Sequence, residues 1–215
     1  AFLGSLYAGV VPVCVNTLLH ADMYAYMLEH SHARAVFTST ELLPAIRPAL
    51  AQPRGSRLLV IAAGAATDGA TPFEQFMDVE PLEQPEDTSV DDIAFWLYSS
   101  GSTGTPKGVV HTHGNLYWTC ETYGKHVLRL RESDVTFSAA KLFFAYGLGN
   151  GLSFPLAAGA TCILMPDRPT PAAVYKILRE HQVTVFFGVP TLYASMLVDA
   201  DRPRPEQLAL RLCTS

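Results

Sequence analysis

The chain has 215 residues, enough for one large domain or two small ones with a real core. It is 49% hydrophobic and only 16% charged, against about 25% for an average soluble domain, so much of its surface is expected to be buried. A net charge of −5 excludes nucleic acid as the main partner, since that needs a basic face, and any anion site must be local.

The opening, AFLGSLYAGVVPVCVN, starts mid-pattern, and the chain reads as an internal piece of a longer polypeptide. A helix is expected through residue 8, then a strand over 10–15. ADMYAYMLEHSHAR continues as a helix with Met23, Tyr26, Met27 and His30 on one face, followed by a β-rich AVFTS and a further strand at 58–62. Residues 80–92, EPLEQPEDTSVDD, hold six acidic residues, two prolines and no basic one, and read as a solvated linker. It divides a partial α/β segment, 1–79, from an α/β subdomain, 93–215.

Beyond it, IAFWLYS is a continuous apolar run, as expected of a strand covered on both faces. A helix over 114–127 puts Leu116, Cys120, Tyr123 and Val127 at helical spacing. VTFSAA reads as a strand, 147–158 as a helix and TCILMP as a strand. Thr170 caps a helix with Pro171 at its first position and a stripe of Val174, Ile177, Leu178 and His181. VTVFFGV and TLYASMLVD supply another strand and helix, and LALRLCTS a strand entering a loop. Short connections between alternating strands and helices specify an α/β layered fold with largely parallel sheets flanked by helices.

Several functional classes fall away. Uncharged stretches at 1–19 and 142–166 are broken by Gly, Pro and Asn, so no membrane span is expected. Four widely spaced cysteines read as reduced thiols of a cytoplasmic protein rather than a disulfide framework. The pairs His30–His32 and His111–His113 lack a third ligand for zinc.

One segment has no side chains with which to build a core. YSSGSTGTPKG, residues 98–108, leaves the apolar strand and offers hydroxyl donors at Ser99, Ser100, Ser102, Thr103 and Thr105. Gly101 and Gly104 permit close backbone approach, so N–H groups can converge on an anion. Pro106 stiffens the chain before the mobile charge of Lys107. The set suits a polyphosphate. It is not the P-loop of NTPases, which needs Ser or Thr after the lysine where this chain has Gly108.

This segment resembles the signature loop of the acyl-adenylate-forming superfamily, which includes acyl- and aryl-CoA ligases, firefly-type luciferases and peptide-synthetase adenylation domains. The likeness extends into VVHTHGNL and to FFGVPTLYASML, and covers essentially the whole chain as the central part of the family's large N-terminal domain. It implies activation of a carboxylate by ATP to acyl-AMP and pyrophosphate, then transfer to a thiol, commonly coenzyme A. Ser99, Ser100, Gly101, Ser102, Thr103, Gly104, Thr105 and Lys107 would hold the phosphates, with Thr103 and Lys107 supporting catalysis. Magnesium would come with ATP. The family's magnesium, ribose and adenine contacts and its C-terminal catalytic lysine would lie beyond Ser215, so these residues alone are expected to complete neither half-reaction.

KLFFAYGLGN resembles benzoate-CoA ligases and their hydroxybenzoate relatives. By position, Ala145, Tyr146 and Gly147 would border the ring. No carboxylate stands nearby to pair with an amino-acid ammonium, and Phe144 with Tyr146 would offer a flat wall to an aromatic ring. Lys141 could meet the substrate carboxylate or simply lie in solvent. His113 and Asn115 would make structural hydrogen bonds at the entrance of the next helix. Alternatives are a fatty acyl or hydroxybenzoate ligase, a stand-alone adenylation domain, or a non-enzymatic polyphosphate-binding module.

Overall fold

The computed structural model describes residues 1–51, 58–65, 68–99 and 105–215. They form two compact units, Ala1–His111 and Thr112–Ser215. Every strand pair whose register is described is parallel, and helices flank the sheets.

The first unit contains α1 (Phe2–Tyr7), β1 (Val13–Cys14), α2 (Ala21–His30), β2 (Ala35–Ser39), α3 (Leu43–Leu50), β3 (Leu59–Ala63), β4 (Thr71–Pro72), α4 (Phe73–Met77), β5 (Ile93–Ser99) and β6 (Lys107–Thr112). One sheet runs β1-β5-β6 and the other β2-β3-β4. Val13 lies opposite Trp96, so the strand after the acidic stretch pairs with one before it.

The buried face of α2 differs from the expected stripe: Tyr24, Ala25 and Met27 are buried, while His30 is exposed. The helix is rotated because Tyr24 can go inside with its hydroxyl satisfied, donating to Asn16 O at 3.1 Å. Small residues complete the contact, with Ala25 and Ala49 in one buried cluster between α2 and α3. α3 itself carries Pro44 at its start and Pro48 inside, which hides it from periodicity.

The second unit contains α5 (His113–Thr119) with a π-helical continuation (Cys120–Val127), β7 (Val135–Ser138), α6 (Ala145–Leu148), a π-helical segment (Gly149–Ser153), α7 (Phe154–Ala158), β8 (Thr161–Ile163), α8 (Pro171–Glu180), β9 (Val185–Phe187), α9 (Pro190–Leu197) and β10 (Leu212–Thr214). The Thr170 cap is present, its Oγ1 accepting from Ala173 N at 3.3 Å. In α8 the buried residues are Val174, Tyr175 and Leu178; His181 stays exposed, and Tyr175 takes its place by donating its hydroxyl to Met196 O.

The strand order is β10-β9-β7-β8. Alternation along β9 sends Phe186 to one face, with Phe137, Val174, Leu178 and Met196, and Val185 with Phe187 to the other, with Leu128, Phe154 and Leu212. Helices α8 and α9 therefore cover one face, and α6, α7 and the end of the π-helical continuation of α5 the other. Phe137, Val185, Phe186 and Phe187 are essentially solvent-free, and each such side chain contributes about 1.5–3 kcal/mol of burial. From β7 the chain moves outward to β8, then returns past β7 to β9 and on to β10. Neighbouring β7 and β9 thus send their connections in opposite directions. Such a reversal is the point at which open α/β sheets bind ligands, in the crevice outside the carboxyl ends of the strands.

Candidate active-site residues in the two units

The first set begins where β5 ends. Ser99 is the last residue of β5 and is exposed, as are Thr105 and Lys107; Lys107 is the first residue of β6. Ser100, Gly101, Ser102, Thr103 and Gly104 lie outside the described residues. The strand β6 itself was not legible in the sequence, because Val109 and Val110 are its only strongly β-forming pair. β5 and β6 are neighbours in one sheet.

The base of this loop is held by groups that sequence reasoning missed. Tyr98 Oη and His30 Nδ1 share a hydrogen bond of 2.8 Å, and the His30 ring also packs edge-on against Trp96. Burial, with a contribution from Tyr26, pushes the Tyr98 phenol up to about 12, so it stays protonated at neutral pH. Gly108 allows β6 to pass the indole: a Cβ there would lie 3.0 Å from Trp96 Cε3 and 3.4 Å from His30 Cε1. His111 stacks on Phe95 with centroids 4.7 Å apart, and burial pushes its imidazole pKa down. In the loop's sequel, Thr112 Oγ1 donates to Asn115 Oδ1 at 3.1 Å.

The second set stands at the crevice between β7 and β9. Phe144 is the N-cap of α6, and Ala145, Tyr146 and Gly147 form its first turn. Phe144 and Ala145 are exposed, Tyr146 half-buried and Gly147 buried. The Tyr146 ring meets Phe187 edge-on at 6.5 Å, and its hydroxyl shares a 3.0 Å hydrogen bond with Thr214 Oγ1. Thr214 O accepts from Tyr193 Oη at 2.9 Å and from Gly188 N at 3.1 Å. Residues following β7 and β9 and the last residue of β10 thus converge. Burial raises the pKa of both phenols, which remain neutral hydrogen-bonding groups. Nothing in the sequence marks Thr214, because its partner is 68 residues away.

Gly147 is fixed by backbone approach: a Cβ would sit 2.0 Å from Lys141 O and 2.8 Å from Ala140 O. Lys141 takes neither position open to it on sequence grounds. Its Nζ donates to Met165 O (2.6 Å), Pro166 O (2.8 Å) and Asp167 O (2.6 Å). Burial lowers its pKa, opposed by the Asp167 carboxylate.

Among the described residues, no three His, Cys, Asp or Glu side chains converge to hold a metal ion, and no helix is long and apolar enough to cross a membrane. All four cysteines are free.

Comparison with known proteins adds the family. The family model described as "AMP-binding enzyme" matches residues 1–215. The chain is 54% identical to the benzoate–CoA ligase of Thauera aromatica and 49% identical to the 4-hydroxybenzoate–CoA/benzoate–CoA ligase of Rhodopseudomonas palustris, in each case over 100% of this chain. It spans 40% of the length of each of these curated relatives. A crystal structure of a benzoate CoA ligase from Burkholderia xenovorans LB400 superposes with a TM-score of 0.90 at 54% identity, covering 100% of this chain and 42% of that one. The anthranilate CoA ligase AuaEII in complex with anthranoyl-AMP gives 0.87 at 35% identity, covering 99% and 41%.

Proposed function

Since the chain belongs to the AMP-binding enzyme family, we propose that it is part of an enzyme that charges an aromatic carboxylate with ATP and transfers the acyl group to coenzyme A. Benzoate or a close analogue is the acid. The observation that carries this reading is the wall at the β7–β9 crevice: apolar Phe144, Ala145 and Tyr146, with no Asp or Glu from Lys141 to Gly151. Likeness to benzoate–CoA ligases over the whole chain supports the same acid.

In the first half-reaction a carboxylate oxygen attacks the α-phosphorus and the bond to the bridging oxygen of pyrophosphate breaks. Two anions approach each other, so donors on the β- and γ-phosphates lower the barrier by absorbing charge on the leaving group. Ser99, Ser100, Ser102, Thr103 and Thr105 supply hydroxyls, Gly101 and Gly104 let backbone N–H groups come close, and Lys107 supplies positive charge. In the second half-reaction the thiol sulfur attacks the acyl carbon and AMP leaves. The described residues offer no ligand set for magnesium, which would arrive on the triphosphate. ATP and coenzyme A as co-substrates, with the four free thiols, suit a cytoplasmic setting.

The test places this chain in the frame of the Thauera aromatica ligase, replacing the residues it aligns with, and measures ATP–pyrophosphate exchange over a panel of acids. Exchange that depends on benzoate or a hydroxybenzoate is expected. Exchange driven only by a long-chain fatty acid would overturn the choice of acid, and ATP binding without exchange for any acid would leave a polyphosphate-binding module. Lys107→Ala should slow exchange by about 10²–10³-fold. Because Lys107 is exposed, its loss should change the unfolding free energy by no more than about 0.5 kcal/mol.

A further inference from the structure

An ammonium group has three protons, and Lys141 donates to three carbonyls in the segment that follows β8. None remains for a bound acid. The main chain of the same residue is equally committed. Lys141 O accepts from Phe144 N at 3.1 Å, and it occupies the space that any side chain at Gly147 would need. Phe144 O in turn accepts from Leu148 N at 2.8 Å, which starts α6. One residue therefore grips residues 165–167 with its side chain and the entrance of α6 with its backbone. Phe144 makes the first of the two backbone contacts of Lys141, and Ala145 and Tyr146 stand between it and the second at Gly147. On the far side the same turn is held by the hydrogen bond from Tyr146 to Thr214.

We propose that Lys141 is the positioning residue of the ring-acid wall. By tying the segment after β8 to the turn after β7, it sets where Phe144, Ala145 and Tyr146 stand, and so determines selectivity among planar ring acids without touching them. This rests on the reading of that wall as the acyl site. The chemistry requires lysine in particular. Methionine would leave three carbonyls without their donor, and arginine spreads its N–H groups over a rigid planar fork that cannot converge from a single atom.

Two measurements test it. In the 215-residue chain, Lys141→Met should speed amide hydrogen exchange at Phe144 and Leu148 by about tenfold or more, while Thr184, bonded in the sheet to Val135 O, keeps its protection. Unchanged exchange at Phe144 and Leu148 overturns the tie, whatever the substrate. In the Thauera frame, Lys141→Met and Lys141→Arg should each raise the benzoate KM about tenfold or more and blur discrimination between benzoate and anthranilate, with the ATP KM and kcat within about twofold. An active parent whose variants keep the benzoate KM, or lose kcat alone, overturns the selectivity role. A parent with no benzoate-dependent exchange refutes the acyl-site reading, and with it the selectivity role, and leaves hydrogen exchange to decide the tie.

Discussion

At position 147 the absence of one methyl group lets helix α6 start directly against the exit of β7. The obstruction is a carbonyl on the main chain, which cannot swing aside as a side chain would. Gly147→Ala is therefore expected to cost about 1–3 kcal/mol or more by overpacking. Gly149→Ala should cost less, because its Cβ would meet the Phe154 ring at 2.8 Å and a ring can rotate away. Urea midpoints of the two variants check the order; equal values would show that the β7 exit yields easily. The helix entrance at Tyr146 and Gly147 was legible from the sequence, whereas their proposed part in an acyl site comes from the resemblance alone. Thr214, His30 and the three carbonyls on Lys141 were not, since each contact joins segments that periodicity treats separately.

Among elements, the helix after the loop shows how a sequence period can mislead. A spacing of 3.6 residues places Val127 on one stripe with Leu116, Cys120 and Tyr123, yet Val127 is 63% exposed and Leu128 only 3%. The cause is the π-helical stretch, in which Leu128 N donates to Tyr123 O, five residues back, at 2.8 Å. The wider turn rotates everything after Cys120 by about one position. Leu128→Ala should thus cost about 2–5 kcal/mol, and Val127→Ala within about 0.5 kcal/mol. Chemical denaturation of the pair checks it; a reversed order would mean that the helix keeps a regular α period. Strands rich in apolar residues, such as β5, were read at their true bounds because burial on both faces leaves an unbroken run. β6 escaped notice because a glycine and a lysine open it. The expected α/β fold with parallel sheets holds because it follows from the order of such elements rather than from their bounds.

For the molecule as a whole, acid stability has an identifiable source. Asp134, just before β7, accepts from Arg211 Nε at 2.8 Å and also from Arg211 Nη2, from Thr184 Oγ1 at 2.8 Å and from Arg131 N at 2.9 Å. The Arg211 hydrogen bonds chiefly hold its carboxyl down to about 2 from an ordinary 3.8, against the opposing effect of burial. A folded-state pKa below the unfolded one stabilises the fold above pH 3.8, and that contribution is lost as pH falls through about 2. The amount is about 2 kcal/mol. Unfolding free energies of the native chain should therefore fall over this window, and Asp134→Asn should flatten the fall while lowering stability at neutral pH. An unchanged slope would assign the acid sensitivity to other carboxylates.

Asp134, Thr184 and Arg211 each precede a strand of the four-stranded sheet, whereas Tyr146, Gly188 and Thr214 stand at the opposite pole, where the strands end. Cohesion is thereby assigned to one end of the sheet, and the acyl site that we propose to the other. On the proposed reading, substitutions at one pole alter the acid that is taken while the other pole keeps the chain folded.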